Sequence, residues 1–482
     1  MNSQKTLESR ECQVDRQCSQ ARELERAGDY EGARAALSGI WSVVGQRPLT
    51  ESLTPAMKAE VLLRAGTLSG WIGSARQISG AQESAKDLIG ESVRLFENLG
   101  DRDKVAEAQT DLAICYWREG ALDEARVLFK QALANAKLPD NKLRVLVNVT
   151  TVEIASGDYQ ASLAILDQAA SLLEQTEDDG IKGRYHSHRA VTLRNLGGKD
   201  PEYLDRALIE YSAASFHFQS AGHVRYVAST ENNIGFVLLQ LQRYEEALAH
   251  LDSALKIFVS LKDLGVAAQV NETRAQVFLA QQRYAEAVRW ASTAVRTFEK
   301  GDAQSLLAEA LITQGAALAR SGNDQAARVS FDRAIATADT AGDRHSSARA
   351  YLVMIEELQN SFGAGEAVYL YRQADQRIGN SPDKDTLNRL RKCAEIAFDN
   401  STANGNGRSE QSSGENLEQQ LLRYEAQLIK KALDEANGSI TRAARVLGVT
   451  HQGLAYIIST RHAKLMWLRR PVRTRRRSIM RR

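Results

Sequence analysis

The chain has 482 residues, 43% of them hydrophobic and 25% charged, with only 6 prolines. That length exceeds one ordinary core, while the composition excludes a disordered or collagen-like chain and favours helix. Net charge is only +2, yet residues 416–482 carry 15 basic and 4 acidic side chains, leaving the preceding 415 residues at −9. An end at +11 on an acidic body predicts a polyanion, not a small cation, as that end's partner.

The first 19 residues are polar and lack the apolar centre of a secretion signal. No run approaches the roughly 18 apolar residues of a membrane span. The expectation is a cytoplasmic, nucleoid-associated protein with no membrane partner. Cys12, Cys18, Cys115 and Cys393 form no CxxC pair and have no His at zinc spacing, which predicts reduced thiols, no metal and no cofactor. A redox pair of Cys12 and Cys18 is the competing reading.

From residue 20 to residue 398 internal repetition dominates. Gly28-Asp29-Tyr30 opens a series continued by Gly120-Ala121-Leu122, Gly157-Asp158-Tyr159, Gln242-Arg243-Tyr244, Gln282-Arg283-Tyr284 and Gly322-Asn323-Asp324. From 242 to 282 to 322 the period is 40 residues. A small residue follows each turn, as at Ala125, Ala247, Ala287 and Ala327. Four and seven positions later stand Phe129 and Ala132, Leu251 and Ala254, Ala291 and Ala294, Phe331 and Ala334. These spacings share one helical face, so each unit reads helix, turn, helix. Breakers such as Leu99-Gly100-Asp101 and Ala341-Gly342-Asp343 separate the units. The fifth unit carries an insertion, Gly197-Gly198-Lys199-Asp200-Pro201, in its turn.

The pattern resembles the tetratricopeptide repeat family, including the upstream small residues Ala113, Gly235 and Gly315. The period is longer than the family's usual 34 and the terminal Pro is missing. The resemblance implies an all-α, right-handed helical solenoid of about nine hairpins with a concave binding surface. First-helix residues expected to line that surface are Arg118, Arg144, Arg184, Arg194, Asn232 and Gln276, facing a protein or peptide partner, with an ordinary solvated face as the alternative. A helix over 385–400 should cap the array's open end. Residues 399–415, rich in Ser, Asn and Gly, read as a flexible tether.

Residues 416–465 form the next unit. Leu417, Leu421, Tyr424, Leu428 and Ala432 stripe a helix over 416–436, the candidate homodimer surface. Asn437-Gly438 stops it. Ser439 caps a short helix over 440–447, Gly448 turns the chain, and Thr450 caps a third helix anchored by Leu454 and Ile457. Asn437 to Thr450 resembles the Fis family of helix-turn-helix proteins. That resemblance implies DNA binding, with the third helix in the major groove. Candidate contacts are Thr441, Arg442, Thr450, His451, Gln452, Tyr456 and Arg461, with Gln452 suited to adenine. No Lys or Arg occurs on the third helix before Arg461, so base reading looks thin. The tail over 466–482 offsets this with Arg469, Arg470, Arg473, Arg475, Arg476 and Arg477, which fit phosphate without reading sequence.

No Walker loop, nucleophile elbow or HExxH occurs, and His186 and His188 point to different helix faces. No enzymatic activity is expected. The combined reading is a DNA-binding transcriptional regulator whose array docks a partner; the alternative is an interaction scaffold or architectural factor that binds DNA without specificity.

Overall fold

The computed structural model describes residues 2–403, apart from 77, 79, 302, 364 and 379–383, and residues 417–465, apart from 437, 448, 463 and 464. Clustering of contacts divides the chain into Met1–Asn404 and Gly405–Arg482. Every regular element among the described residues is a helix.

The first unit pairs α1 (Asn2–Arg26) with α2 (Tyr30–Ala36), α3 (Pro55–Ala75) with α4 (Ala81–Leu99), and α5 (Arg102–Arg118) with α6 (Leu122–Asn135). It continues through α7 (Pro139–Ser156) and α8 (Tyr159–Leu173), α9 (Asp179–Gly197) and α10 (Pro201–Ser220), then α11 (Val224–Gln240) and α12 (Tyr244–Ser260). The last three pairs are α13 (Leu264–Ala280) with α14 (Tyr284–Phe298), α15 (Gln304–Arg320) with α16 (Asp324–Thr340), and α17 (Arg344–Glu357) with α18 (Glu366–Ile378). Then α19 (Lys384–Ala403) covers the end, burying Leu390, Cys393 and Ala397. These are the nine expected hairpins and their cap.

Local chemistry explains the punctuation. Where a first helix ends, Gly28, Gly120, Gly157 and Gly322 take positive φ of 76 to 85°, the conformation that costs glycine least. At Gln242 and Gln282 glutamine occupies the same left-handed position, with φ of 61° and 62°. The Gly-Asp breakers combine two devices: Gly100 terminates α4 at φ 73°, and the Asp101 carboxylate accepts from the Lys104 amide at 3.1 Å to start α5. Gly342 and Asp343 repeat this before α17. Replacing Gln282 with Gly removes left-handed strain of about 1–2 kcal/mol, less the extra chain entropy of glycine. Net stability should rise by about 0.5–1 kcal/mol, read as an upward shift of the urea midpoint.

The repeated small residues admit close packing. In α12, Ala247, Leu251, Ala254 and Phe258 are all fully buried. Gly235 of α11 faces Leu251 so closely that a Cβ there would lie 2.7 Å from its Cγ, and a Cβ on Gly315 of α15 would lie 2.8 Å from the Phe331 ring of α16.

Two expectations shift. Of the polar stretch 1–19, residues 2–19 belong to α1 itself, with Val14 and Cys18 buried against Leu37 and Trp41, so the array begins earlier than residue 20. The second helix of the first hairpin is only seven residues long, and Trp41 fills the missing turns, its indole N–H donating to the Gln46 carbonyl at 2.9 Å. The tether proposed for 399–415 is helical as far as Ala403 and otherwise lies outside the described residues.

In the second unit, α20 (Leu417–Glu435), α21 (Ile440–Val446) and α22 (His451–Thr460) pack around Ile429, Leu433, Ala443, Ala444, Leu454 and Ile458. The fully buried anchor of α22 is Ile458, with Ile457 only partly covered. Ser439 stands at the start of α21, but its side chain makes no capping bond.

Candidate ligand cavities and DNA-facing surface

The array closes on itself across its first six hairpins. Tyr30, at the start of α2, lies with its hydroxyl 3.5 Å from that of Tyr226 on α11. Its ring stacks on Trp71 of α3 at 4.7 Å, and Tyr226 stacks on Phe218 of α10 at 5.1 Å. The Arg118 guanidinium lies 3.3 Å over the other side of this chain of rings, on Trp71. This clasp joins residues 196 positions apart and borders a partly open pocket of about 290 Å³ lined mainly by α1, α3, α5, α7, α9 and α11, with Tyr30, Phe129 and Phe218 from α2, α6 and α10.

The lining has two poles. In the acidic one, Arg64 is only 1% exposed and is gripped by Glu25 at 2.9 Å, Glu107 at 2.6 Å and Glu60 at 3.4 Å. Lys104 adds contacts to Glu60 at 2.7 Å and Glu107 at 3.0 Å, and Arg22 also bonds Glu60. Burial pushes these carboxyls up, but Arg64 and its neighbouring cations hold Glu60 and Glu107 below the usual range. Glu25 and Asp111 respond differently: burial wins over Arg64, lifting Glu25 to about 7 and raising Asp111.

In the basic pole stand Arg26, Arg144 and Arg184. Arg144 donates to Asp178 at 3.0 Å, while Arg184 bonds the neutral Asn148. Burial, reinforced by Arg26, lowers Arg144 to about 10. Burial and Arg184 together drop His188 to about 3, so it is a neutral imidazole bonded to Thr150 at 2.7 Å. The buried Nε of Arg144 and Nη2 of Arg118 make no hydrogen bond among the described residues.

A second, wider cleft of about 850 Å³ lies in the later hairpins, lined by Lys199, Gln276, His345, Arg349, Arg389 and Lys392 with Glu356. Of the residues expected to line the groove, Arg144 and Arg184 therefore face the first pocket and Gln276 the wider cleft. Arg118 and Arg194 sit one ring behind, on Trp71 and on Phe236 at 5.2 Å. Asn232 lines neither space; its buried Oδ1 lacks a hydrogen-bond donor among the described residues.

Among the described residues no three His, Cys, Asp or Glu side chains converge as metal ligands. His186 bonds Glu210 at 2.7 Å, apart from His188. Cys18 is buried with its thiol pushed up to about 12, which removes the thiolate that a redox pair with Cys12 would need. Cys115 is buried in the core. No described helix is long and apolar enough to cross a membrane.

On the second unit Thr441, Arg442, Thr450, His451, Gln452 and Tyr456 are all exposed, Tyr456 at 68%. Arg445, which spacing alone could have singled out three positions after Arg442, is exposed as well. Thr450 starts α22, its hydroxyl accepting from the Gly453 amide at 3.0 Å. Thr450→Ala should cost this unit about 0.5–2 kcal/mol, measurable by chemical denaturation. Arg461 turns back toward Glu425 of α20 at 3.5 Å, and the buried His462 bonds the same carboxylate at 2.7 Å. The arginines from 469 to 477 lie outside the described residues.

The architecture is thus a helical-repeat solenoid with a separate trihelical helix-turn-helix unit. The tetratricopeptide repeat family model matches residues 63–137 and 226–300, and that of the bacterial regulatory proteins of the Fis family matches 421–456. The chain carries tetratricopeptide repeats and a C-terminal Fis-type helix-turn-helix. No curated protein matches it in sequence. Among solved structures it is similar to a Rap protein complexed with competence and sporulation factor, at 15% identity, covering 80% of this chain and 99% of that one, with a TM-score of 0.52. It is also similar to a signal transduction ATPase with numerous domains from Pyrococcus horikoshii, which has a tetratricopeptide repeat sensor (15%, 76% and 55%, 0.48). Aspartyl phosphate phosphatase F from Bacillus subtilis is a third (13%, 84% and 97%, 0.46). At these identities the likeness concerns the fold.

Proposed function

We propose that this protein is a DNA-binding transcriptional regulator in which the repeat array receives a partner and the Fis-type unit, helped by the arginine tail, binds DNA. The match of residues 421–456 to the Fis family carries the reading, with the exposed helix α22 supplying the surface. The cationic lining of the wider cleft favours a protein or peptide partner with an acidic segment. The Rap structure in complex with its factor offers a parallel for ligand reception by such an array. Partner occupancy then alters the availability of the DNA-binding unit or its dimerisation through α20, where Leu428 is 42% exposed. In this reading the chain acts by binding rather than catalysis, in the cytoplasm and at the nucleoid.

A second reading, an architectural factor without sequence preference, is favoured by the held-back Arg461 and the absence of other cations on α22. Selection from a random DNA pool with the full chain decides between them. An enriched motif supports the regulator. Salt-sensitive retention of all sequences supports the architectural role, and no retention of any DNA removes both.

A further inference from the structure

We propose that the pocket of the early hairpins binds a small organic oxyanion, a flat apolar or aromatic body bearing a carboxylate or phosphate. The inference rests on the regulator reading only in supplying the array's input; the binding itself is independent of DNA.

Three observations converge on this chemistry. The first is positive charge that is only partly compensated. Arg26, Arg144 and Arg184 share the lining; Arg144 pairs with Asp178, on which the exposed Arg26 also acts, while among the described residues Arg184 has no carboxylate at ion-pair distance and the Nε of Arg144 remains an orphan donor. Leaving such a buried cationic donor unpaired is costly, and an oxygen ligand reaching it would relieve that cost. The second is that the pocket's own acids are held chiefly by another cation. Glu25, Glu107 and Asp111 lie around Arg64, already engaged in the acidic pole. The third is shape. Tyr30, Trp71, Trp117, Phe218 and Tyr226 present aromatic surface in the same enclosure. A volume of about 290 Å³ falls at the small end of small-molecule sites. Guanidinium groups meet carboxylate and phosphate bidentately, and ring faces take the remainder of the ligand.

Calorimetric titration of the full chain with phenyl phosphate, phenylacetate and the neutral benzyl alcohol tests the proposal, with a thermal melt of each mixture as a second readout. At least one oxyanion should bind saturably and raise the melting temperature, while benzyl alcohol does neither. Which oxyanion saturates separates phosphate from carboxylate ligands. Arg184→Gln should weaken binding about tenfold or more, because a charge-assisted contact is lost. Arg26→Gln, at an exposed side chain, provides the same comparison should Arg184→Gln fail to fold. No saturation by either oxyanion, or unchanged affinity in the folded variants, overturns the proposal. DNA retention measured without these probes remains a separate result, so loss of one claim leaves the other standing.

Discussion

Arg64→Ala should destabilise the array by about 3–5 kcal/mol, the range expected when one partner of a buried ionic group is removed. The guanidinium is 1% exposed and is contacted by Glu25, Glu60, Glu107 and, at 4.0 Å, Asp111. Without it these carboxylates face one another, with only Arg22 and Lys104 to offset them. The pH dependence is diagnostic. In the native array Glu60 and Glu107 have lowered values, so their contribution is present above the ordinary 4.5 and fades as pH falls through their folded values. Glu25, raised to about 7, contributes in the opposite sense: its stabilisation is complete below 4.5 and is lost as pH rises through about 7. Removing Arg64 moves all of these carboxyls upward, so the variant's deficit should be greatest near about pH 8 and shrink toward about pH 5. Urea melts followed by helical circular dichroism report it. A deficit independent of pH would mean that packing, not charge, is what Arg64 supplies.

Ile458→Ala should sharply weaken DNA retention, leaving only the salt-sensitive share of the arginine tail, while the melt of the array stays unchanged. Ile458 is fully buried among Leu433, Ala443 and Leu454. Truncating such a side chain costs about 2–5 kcal/mol, while a unit of about 50 ordered residues holds only about 2.5–7 kcal/mol in total. The change therefore removes most or all of its stability. Loss of DNA binding with the array's transition intact places the activity in the second unit. Undiminished retention of DNA by a chain whose helix-turn-helix has unfolded would mean that this fold does not carry it.

Much of the fold was legible because its causes are local. Tyr30, Tyr159, Tyr244 and Tyr284 each begin a second helix, and the small residue three positions later is buried each time. Left-handed glycine followed by a capping aspartate is written in the order of the residues. The cavity was only half legible. Helical periodicity says which face Arg118 and Arg144 occupy but not the curvature that carries α11 back to α2. The Tyr30–Tyr226 contact depends on that curvature summed over five hairpins, so no local pattern announces it. For the same reason Arg118 was expected in the groove and instead stacks on Trp71. The Arg64 cluster draws acids from α1, α3 and α5, each unremarkable within its own helix. In the second unit, Arg461 read as a free cation until Glu425, 36 positions earlier, came within 3.5 Å.

The account rests most heavily on the claim that residues beyond 404 carry DNA binding. Fluorescence anisotropy with labelled genomic fragments, comparing the full chain with one ending at Asn404, measures this directly. The full chain should bind, with an affinity that falls steeply as salt rises, and the shortened chain should not. Equal binding by the two would contradict it.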